Sequence, residues 1–269
     1  MNSSSITILG CGNIGSAMVR GFVKSGISKN NICITRRKID RLNSLSNEGY
    51  KTSTDNITAV KESNTIILAV GPNQLIDLLD EINPYLTANH LIVSVVSGVS
   101  ISEIQSKINI KNIQIVRAMP NTAATLCESM TCLSAVNESK NGMKHAQALF
   151  NKIGKTLIID EEQMGSATAL CACGVAFFLR AIRAASQGGI EIGFHSEDAM
   201  AIAAQTARGA ATLLFDNQGH PESEIDRVTT PMGATISGLN EMEHQGFSSA
   251  MIKGIITSTE KINKLFDQK

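Results

Sequence analysis

A chain of 269 residues, 43% hydrophobic and 18% charged, has room for one or two ordinary globular domains and is too long for a disulfide-stapled mini-protein. Its 24 basic and 24 acidic residues cancel to a formal net charge of zero, which excludes the long-range pull toward nucleic acid or anionic lipid that a basic excess brings. A small, partly apolar ligand suits this balance better. The opening Met1-Asn2-Ser3-Ser4-Ser5 shows no basic n-region, apolar h-region or cleavage site. The most apolar later stretch, residues 167–179, is interrupted by Arg180 and is short for a bilayer crossing, so a cytoplasmic location without membrane contact is expected. The six cysteines, at positions 11, 33, 127, 132, 171 and 173, form no CxxC pair and lack a histidine at ligand spacing. They read as small buried apolar residues, and no metal site is expected.

Taken in chain order, the first part alternates short β-branched runs with polar, helix-like stretches. Strands are predicted at residues 6–9, 32–35, 65–70, 90–94 and 113–117, with helices at 14–24, 40–48, 56–62, 75–82 and 102–107. Such alternation implies parallel strands joined by helical crossovers, and residues 129–134 and 156–159 offer further strands at the sheet edge. After residue 160 the chain turns rich in Ala, Gly, Met and Ile, with helices predicted at 164–187, 196–215, 235–244 and 248–267. Ser196 reads as an N-cap followed by Glu197 and Asp198, while Pro221 and residues 229–233 mark breaks. The predicted class is therefore α/β: an N-terminal Rossmann-like doubly wound sheet over residues 1–160 and a C-terminal all-helical domain over 161–269. Helices so rich in small residues carry little bulk each, so the second half is expected to pack against a twin from another subunit, as a homodimer or a higher assembly of dimers.

Gly10-Cys11-Gly12-Asn13-Ile14-Gly15 is a GxGxxG run between a predicted strand and a predicted helix, the context in which that pattern binds a dinucleotide. Gly10 permits the tight turn, Gly12 lets backbone approach a pyrophosphate, and Gly15 lets helix and strand close up. The helix start offers free N–H groups and a positive dipole to the phosphates. A glycine turn without nucleotide is the plainer alternative. At the end of the second strand, where an acid commonly binds the ribose hydroxyls, the chain has Ile34-Thr35-Arg36-Arg37. Two guanidinium groups suit a 2′-phosphate, so NADPH is expected, with NADH as the lesser cofactor. The alternative for Arg36 and Arg37 is a solvated basic strand end. Asp40 falls inside the next predicted helix and does not replace the acid.

Three later segments carry a family resemblance. Arg117-Ala118-Met119-Pro120-Asn121-Thr122, the stretch from Asp226 to Thr235 (DRVTTPMGAT), and its continuation over residues 236–247 (ISGLNEMEHQGF) resemble signatures of the pyrroline-5-carboxylate reductases, in family order and spacing. Residues 168–177 stand where that family has T-x-L-S-G-S-G-P-A-Y. The resemblance implies hydride transfer from NADPH to the C=N bond of 1-pyrroline-5-carboxylate, giving L-proline. The other readings are reduction of a different cyclic imino acid, β-hydroxyacid reduction, and a noncatalytic NADPH-binding relative. Candidate lysines for β-hydroxyacid chemistry, Lys253, Lys261 and Lys264, occur only in the terminal helix.

By resemblance the Thr235 hydroxyl serves the imine nitrogen, and Thr168, Thr230, Gly233, Ala234 and Thr235 bind the imino-acid substrate. The residues themselves support a related reading: the N–H groups of Gly233, Ala234 and Thr235 begin a helix after a Pro-containing turn and attract an anion, here the substrate carboxylate. A plain cap by the Thr230 or Thr235 hydroxyl is the alternative. The resemblance also places Leu9, Gly10, Cys11, Gly12, Asn13 and Ile14 along the pyrophosphate and Asn56 at the adenosine ribose. Ala69, Val70, Gly71 and Pro72, then Val95, Val96 and Ser97, border the dinucleotide, and Met119 and Asn121 flank the nicotinamide. His195, His220 and His244 sit beside polar turn residues and read as surface or capping groups. The chain departs from the family at Gly71, which replaces a lysine, at residues 171–177, at Thr230, and at Met232, which replaces a glycine. A positive φ at that glycine would leave Met232 strained.

Overall fold

The structure, a computed structural model, describes residues 5–38, 42–136, 139–217 and 219–267. The β-branched runs become strands: β1 (Ile6–Leu9), β2 (Ile32–Thr35), β3 (Lys51–Ser53), β4 (Thr65–Leu68), β5 (Leu91–Ser94), β6 (Gln114–Met119), β7 (Ser129–Ala135) and β8 (Gly154–Ile158). They form one sheet in the order β3-β2-β1-β4-β5-β6-β7-β8. Every residue of β1, β2, β4 and β5 is buried, as a sheet covered on both faces requires. The helices of this part are α1 (Asn13–Lys24), α2 (Asn43–Asn47), α3 (Asn56–Lys61), α4 (Pro72–Ile82), α5 (Ile101–Lys107) and α6 (Lys140–Phe150). The predicted strands and helices recur with shifted ends, except that positions 39–41 of the predicted helix 40–48, Asp40 among them, lie outside the described residues. The sequence reading did not anticipate β3 and α6.

Alternate residues of each strand feed two cores. Ile67 joins Ile8, Val93 and Val116 on the face where Phe22 and Phe150 meet edge to face, 6.1 Å between ring centroids. Ile66 and Leu68 join Leu75, Leu78, Leu79 and Ile82 of α4 and Ile104 of α5 on the other. Neighbours from β3 through β6 pair in parallel. β7 runs antiparallel to β6, and β8 parallel to β7, so the edge expected from the sequence reverses direction. The cause is the link between β6 and β7, residues 120–128, which is too short for the crossover of about a dozen residues that a parallel neighbour needs.

Beyond Asp160 the chain is helical. A short 3-10 turn (Glu161–Gln163) leads to α7 (Met164–Ala167), a π-helical segment (Thr168–Cys173) and α8 (Gly174–Glu191). Then come α9 (Ser196–Asn217), α10 (Pro221–Arg227), α11 (Ala234–His244) and α12 (Phe247–Asp267). The helical run Glu161–Glu191 is 31 residues long and contains an 18-residue window with a mean hydropathy of 1.6, long and apolar enough by length and composition to cross a membrane. The apolar segment is thus longer than residues 167–179 suggested: Arg180 interrupts the apolar run but, as expected from the helix predicted at 164–187, not the helix. Ser196 is also not the N-cap, because α9 includes it and the His195 carbonyl accepts from the Ala199 N–H at 2.9 Å, the bond a capping residue makes.

Backbone packing gathers residues up to Ala172, together with those from Thr259 onward, into one unit, and Cys173–Ser258 into another. In the first, Met164 and Ala167 cover Met119 and Cys132 on β6 and β7, and buried Arg117 donates to Glu161 at 3.0 Å. The second unit has little interior. Among its described residues only Gly174, Ser186 and Ala199 are buried.

Candidate active site

Reversal of strand order between β1 and β4 leaves a crevice at the C-terminal ends of the parallel strands, where this architecture binds ligands. A cleft of about 680 Å³ lies there, lined by residues following β1, β2 and β4. Of the expected cofactor residues it contains Gly10, Cys11, Gly12, Arg36, Arg37, Asn56, Ala69, Val70 and Gly71. Gly10 holds φ +88°, and a Cβ there would stand 2.6 Å from Val70 Cγ1 and 2.7 Å from the Ala69 carbonyl oxygen, so no larger residue fits the turn. At Gly12 a Cβ would meet nothing within 4 Å. Gly12 caps α1 without a side-chain hydrogen bond, and the first turn holds no acid. The unspent N–H groups of α1 therefore face open space, an arrangement that fits a pyrophosphate.

Arg36 donates to the Cys11 carbonyl and is thereby tied to the glycine turn, while Arg37 and the unanticipated Lys38 are exposed beside it. Burial pushes the Cys11 thiol above its ordinary pKa, so Cys11 offers backbone rather than a nucleophile. Buried Thr35 donates to Asn56 Oδ1 at 2.6 Å, and Asn56 Nδ2 donates to Glu81 at 3.0 Å, which fixes the amide. Gln74, Asp77, Leu78 and Glu81 of α4 complete the lining, and the sequence reading missed all four. Their spacing was a usable signal, since it marks one face of α4 beside the apolar stripe Leu75, Leu79 and Ile82.

The other expected cofactor residues do not line this cleft. Leu9 is fully buried, Asn13 and Ile14 open α1, and Gly15 packs so that a Cβ would lie 2.9 Å from the Gly10 carbonyl. Pro72 starts α4. Val95, Val96 and Ser97 follow β5, while Met119 ends β6 and Asn121 lies two residues beyond it, farther along the same sheet edge. Both polar ends of Asn121 are engaged: Nδ2 donates to the Cys171 carbonyl at 3.1 Å, and Oδ1 accepts from the Ala123 N–H at 3.0 Å. Thr168 is buried at the start of the π segment, with its hydroxyl donating to the Met164 carbonyl at 2.8 Å.

In the second unit Thr230, Pro231, Met232 and Gly233 form a turn closed by the Gly233 N–H on the Thr230 carbonyl at 2.9 Å. Proline in the second place and φ +55° at Met232 in the third define a type II turn, whose third place favours glycine. A Cβ at Gly233 would lie 2.5 Å from Thr230 Oγ1, so that position admits only glycine. Gly233 caps α11 with no side-chain hydrogen bond, so neither threonine hydroxyl acts as the plain cap. The N–H groups of Ala234 and Thr235 are left at an exposed helix start beside the Thr235 side chain. His220 caps α10 through Nδ1, accepting from the Glu222 N–H at 3.3 Å, and His195 and His244 are exposed.

Comparison with known proteins gives a consistent result. Residues 161–265 match the family described as pyrroline-5-carboxylate reductase dimerisation, and residues 5–98 match that described as NADP oxidoreductase, coenzyme F420-dependent. The chain is 53% identical to pyrroline-5-carboxylate reductase 1 of Dictyostelium discoideum over 98% of its own length, but spans only 50% of that relative. It is 48% identical to pyrroline-5-carboxylate reductase 2 of the same organism, covering 98% of this chain and 93% of the relative. The crystal structure of Plasmodium falciparum pyrroline carboxylate reductase with NADP bound shares the fold, with a TM-score of 0.88 and 24% identity over 99% of both chains. With a sheet crevice suited to a dinucleotide, a dimerisation-family helical half and a near full-length relative at 48% identity, the chain belongs to the pyrroline-5-carboxylate reductase family.

Proposed function

We propose that this chain reduces the C=N bond of 1-pyrroline-5-carboxylate to give L-proline, with NADPH as donor. The observation that carries the reading is the pair of uncapped helix starts, one at Gly12 and one at Gly233, each able to receive an anionic group. The N–H groups at the start of α1 hold the pyrophosphate, and Arg36, Arg37 and Lys38 take the 2′-phosphate through charge-assisted hydrogen bonds. Asn56, held by Thr35 and Glu81, reaches the adenosine ribose. Val95, Val96 and Ser97 border the dinucleotide, and Met119 and Asn121 stand beside the nicotinamide. Bound NADPH supplies the hydride that reduces the imine carbon.

The chain's own residues bind and orient the imine. The N–H groups of Ala234 and Thr235 grip the substrate carboxylate beside Thr230; the Gly233 N–H, expected to join them, is spent on the Thr230 carbonyl, and Thr168, expected to bind the substrate, has its hydroxyl on the Met164 carbonyl. The Thr235 hydroxyl, which has no protein partner among the described residues, donates to the ring nitrogen. Its pKa is too high for titration near neutrality, so it works as a positioned donor, and most of the acceleration comes from holding two reactants together. Residues 1–160 act as the dinucleotide domain and 161–269 as the dimerisation and substrate domain, in a homodimer or an assembly of dimers. The apolar run Glu161–Glu191 serves that interface rather than a membrane, a reading supported by the dimerisation family matched over it. The enzyme acts in the cytoplasm and takes no nucleic acid.

A second reading, a noncatalytic NADPH-binding relative, is favoured by Met232 where the family has glycine. Rates of NADPH oxidation with 1-pyrroline-5-carboxylate, beside 1-pyrroline-2-carboxylate and with NADH in place of NADPH, separate these readings. Turnover of the first imine with a higher kcat/KM for NADPH is expected. Preference for the second imine, or NADPH binding without turnover of either, overturns the proposal.

A further inference from the structure

The Cys132 and Cys171 sulfurs lie 3.5 Å apart, and neither residue has a part in the chemistry above. Cys132 sits within β7 opposite Met119 of β6, buried under Met164 and Ala167. Cys171 lies half-buried in the π-helical segment, and its carbonyl accepts from Asn121 Nδ2 at 3.1 Å. We propose that Cys132 and Cys171 form a thiol oxidation site for hydroperoxides, in which the more accessible Cys171 is attacked first and Cys132 resolves it to a disulfide.

Geometry sets the order of events. Cys132 is locked in an interior strand, whereas Cys171 belongs to a turn whose backbone departs from the regular helical ladder. The Cys171 thiol is pulled down to about 7 because its thiolate accepts the Cys132 S–H, and the same contact, with burial, pushes the Cys132 thiol up. A low-pKa, accessible sulfur beside a resolving partner is the arrangement that oxidises selectively.

In the first step the Cys171 sulfur attacks one oxygen of hydrogen peroxide. The O–O bond breaks, water leaves, and Cys171 becomes a sulfenic acid. The Cys132 sulfur then attacks that sulfur, the S–O bond breaks and a second water leaves. The two sulfurs lose two electrons and the thiols two protons, and all of these go to the peroxide oxygens. Closing 3.5 Å to a bond of about 2.05 Å draws the π segment toward the sheet and shifts the Cys171 carbonyl that Asn121 holds. Reductase activity falls as a result. That consequence rests on the reductase reading; the cross-link does not.

The test uses the full chain treated with hydrogen peroxide and then alkylated. Intact mass and peptide mapping are expected to show one Cys132–Cys171 link, and kcat should drop by roughly ten- to a hundredfold, the cost of an ångström-scale misplacement, with recovery in dithiothreitol. The Cys132→Ala variant should form no link, keep its basal kcat and yield a Cys171 sulfenic acid trapped by dimedone. Six free thiols after peroxide, a link between other cysteines, or absence of the sulfenic acid in Cys132→Ala overturns the oxidation site. A formed link with unchanged kcat overturns its effect on activity. A reduced protein inert toward every imine counts against the reductase reading alone, since the mass measurement still decides the pair.

Discussion

Met232 occupies the third place of the turn ahead of α11 with φ +55°, and its side chain is 100% exposed. The turn therefore carries a left-handed residue with no packing to offset the conformational cost. Met232→Gly removes that cost while adding some unfolded-chain entropy, so unfolding in urea should show a gain of roughly 0.5–1 kcal/mol. A lower midpoint would mean that the methionine makes contacts in the functional assembly. Two residues on, Thr235→Val keeps the shape of the side chain but removes its hydroxyl. The kcat for imine reduction should fall roughly ten- to a thousandfold, the range for one positioned proton donor, while KM changes less. An unaltered kcat takes Thr235 out of the mechanism. At this scale the glycine fingerprint, Arg36 and Arg37 were legible in the cleft because strand-end position restricts what such residues do, whereas Asn56, at the start of α3, was marked only by the family resemblance. Asp77 and Glu81 were legible only as members of one face of α4, because placing that face over the crevice requires the fold.

Among elements, the buried strands declared themselves through β-branched runs, whereas β3, an edge strand of sequence Lys-Thr-Ser with one face in solvent, carries no apolar pattern. α6 was hidden for a different reason. Gly142 lies in its first turn and Ser139 gives it no side-chain cap, so its start lacks the usual signals. Strand direction was legible only through the link at residues 120–128, whose length forces β7 to turn back. The long helix predicted at 164–187 forms, but its π segment could not be read, since small residues such as Ala169 and Ala172 suit either geometry. Within α8, Ser186 is fully buried and its hydroxyl has no partner among the described residues. Ser186→Ala replaces an unsatisfied oxygen with the best helix former and should stabilise the protein by about 1 kcal/mol. Thermal unfolding at fixed protein concentration reads this directly, and a loss of stability would reveal a partner supplied from another subunit.

For the whole molecule, composition marks a boundary near residue 160 while backbone packing marks one at Ala172. The difference arises because Met164 and Ala167 close the face of β6 and β7, and because the chain from Thr259 onward returns to that unit, with Asn263 Oδ1 placed 2.5 Å from where a Cβ on Gly165 would stand. Such long-range returns have no local signature. What composition did convey is the incompleteness of the helices between. Phe178 is 61% exposed, Leu179 59%, Ile192 77% and Phe215 65%, in a unit with three buried residues among those described. Covering each such side chain is worth about 1.5–3 kcal/mol, more than a lone domain leaves unused. Sedimentation should therefore find the chain as a dimer or larger assembly down to nanomolar concentration. Phe178→Glu places a charge on that apolar surface and should raise the dissociation constant roughly ten- to a hundredfold, as loss of an interface anchor does. A folded monomer in the wild type would refute the shared-core argument, and an unchanged constant in the variant would move the interface away from this face of α8.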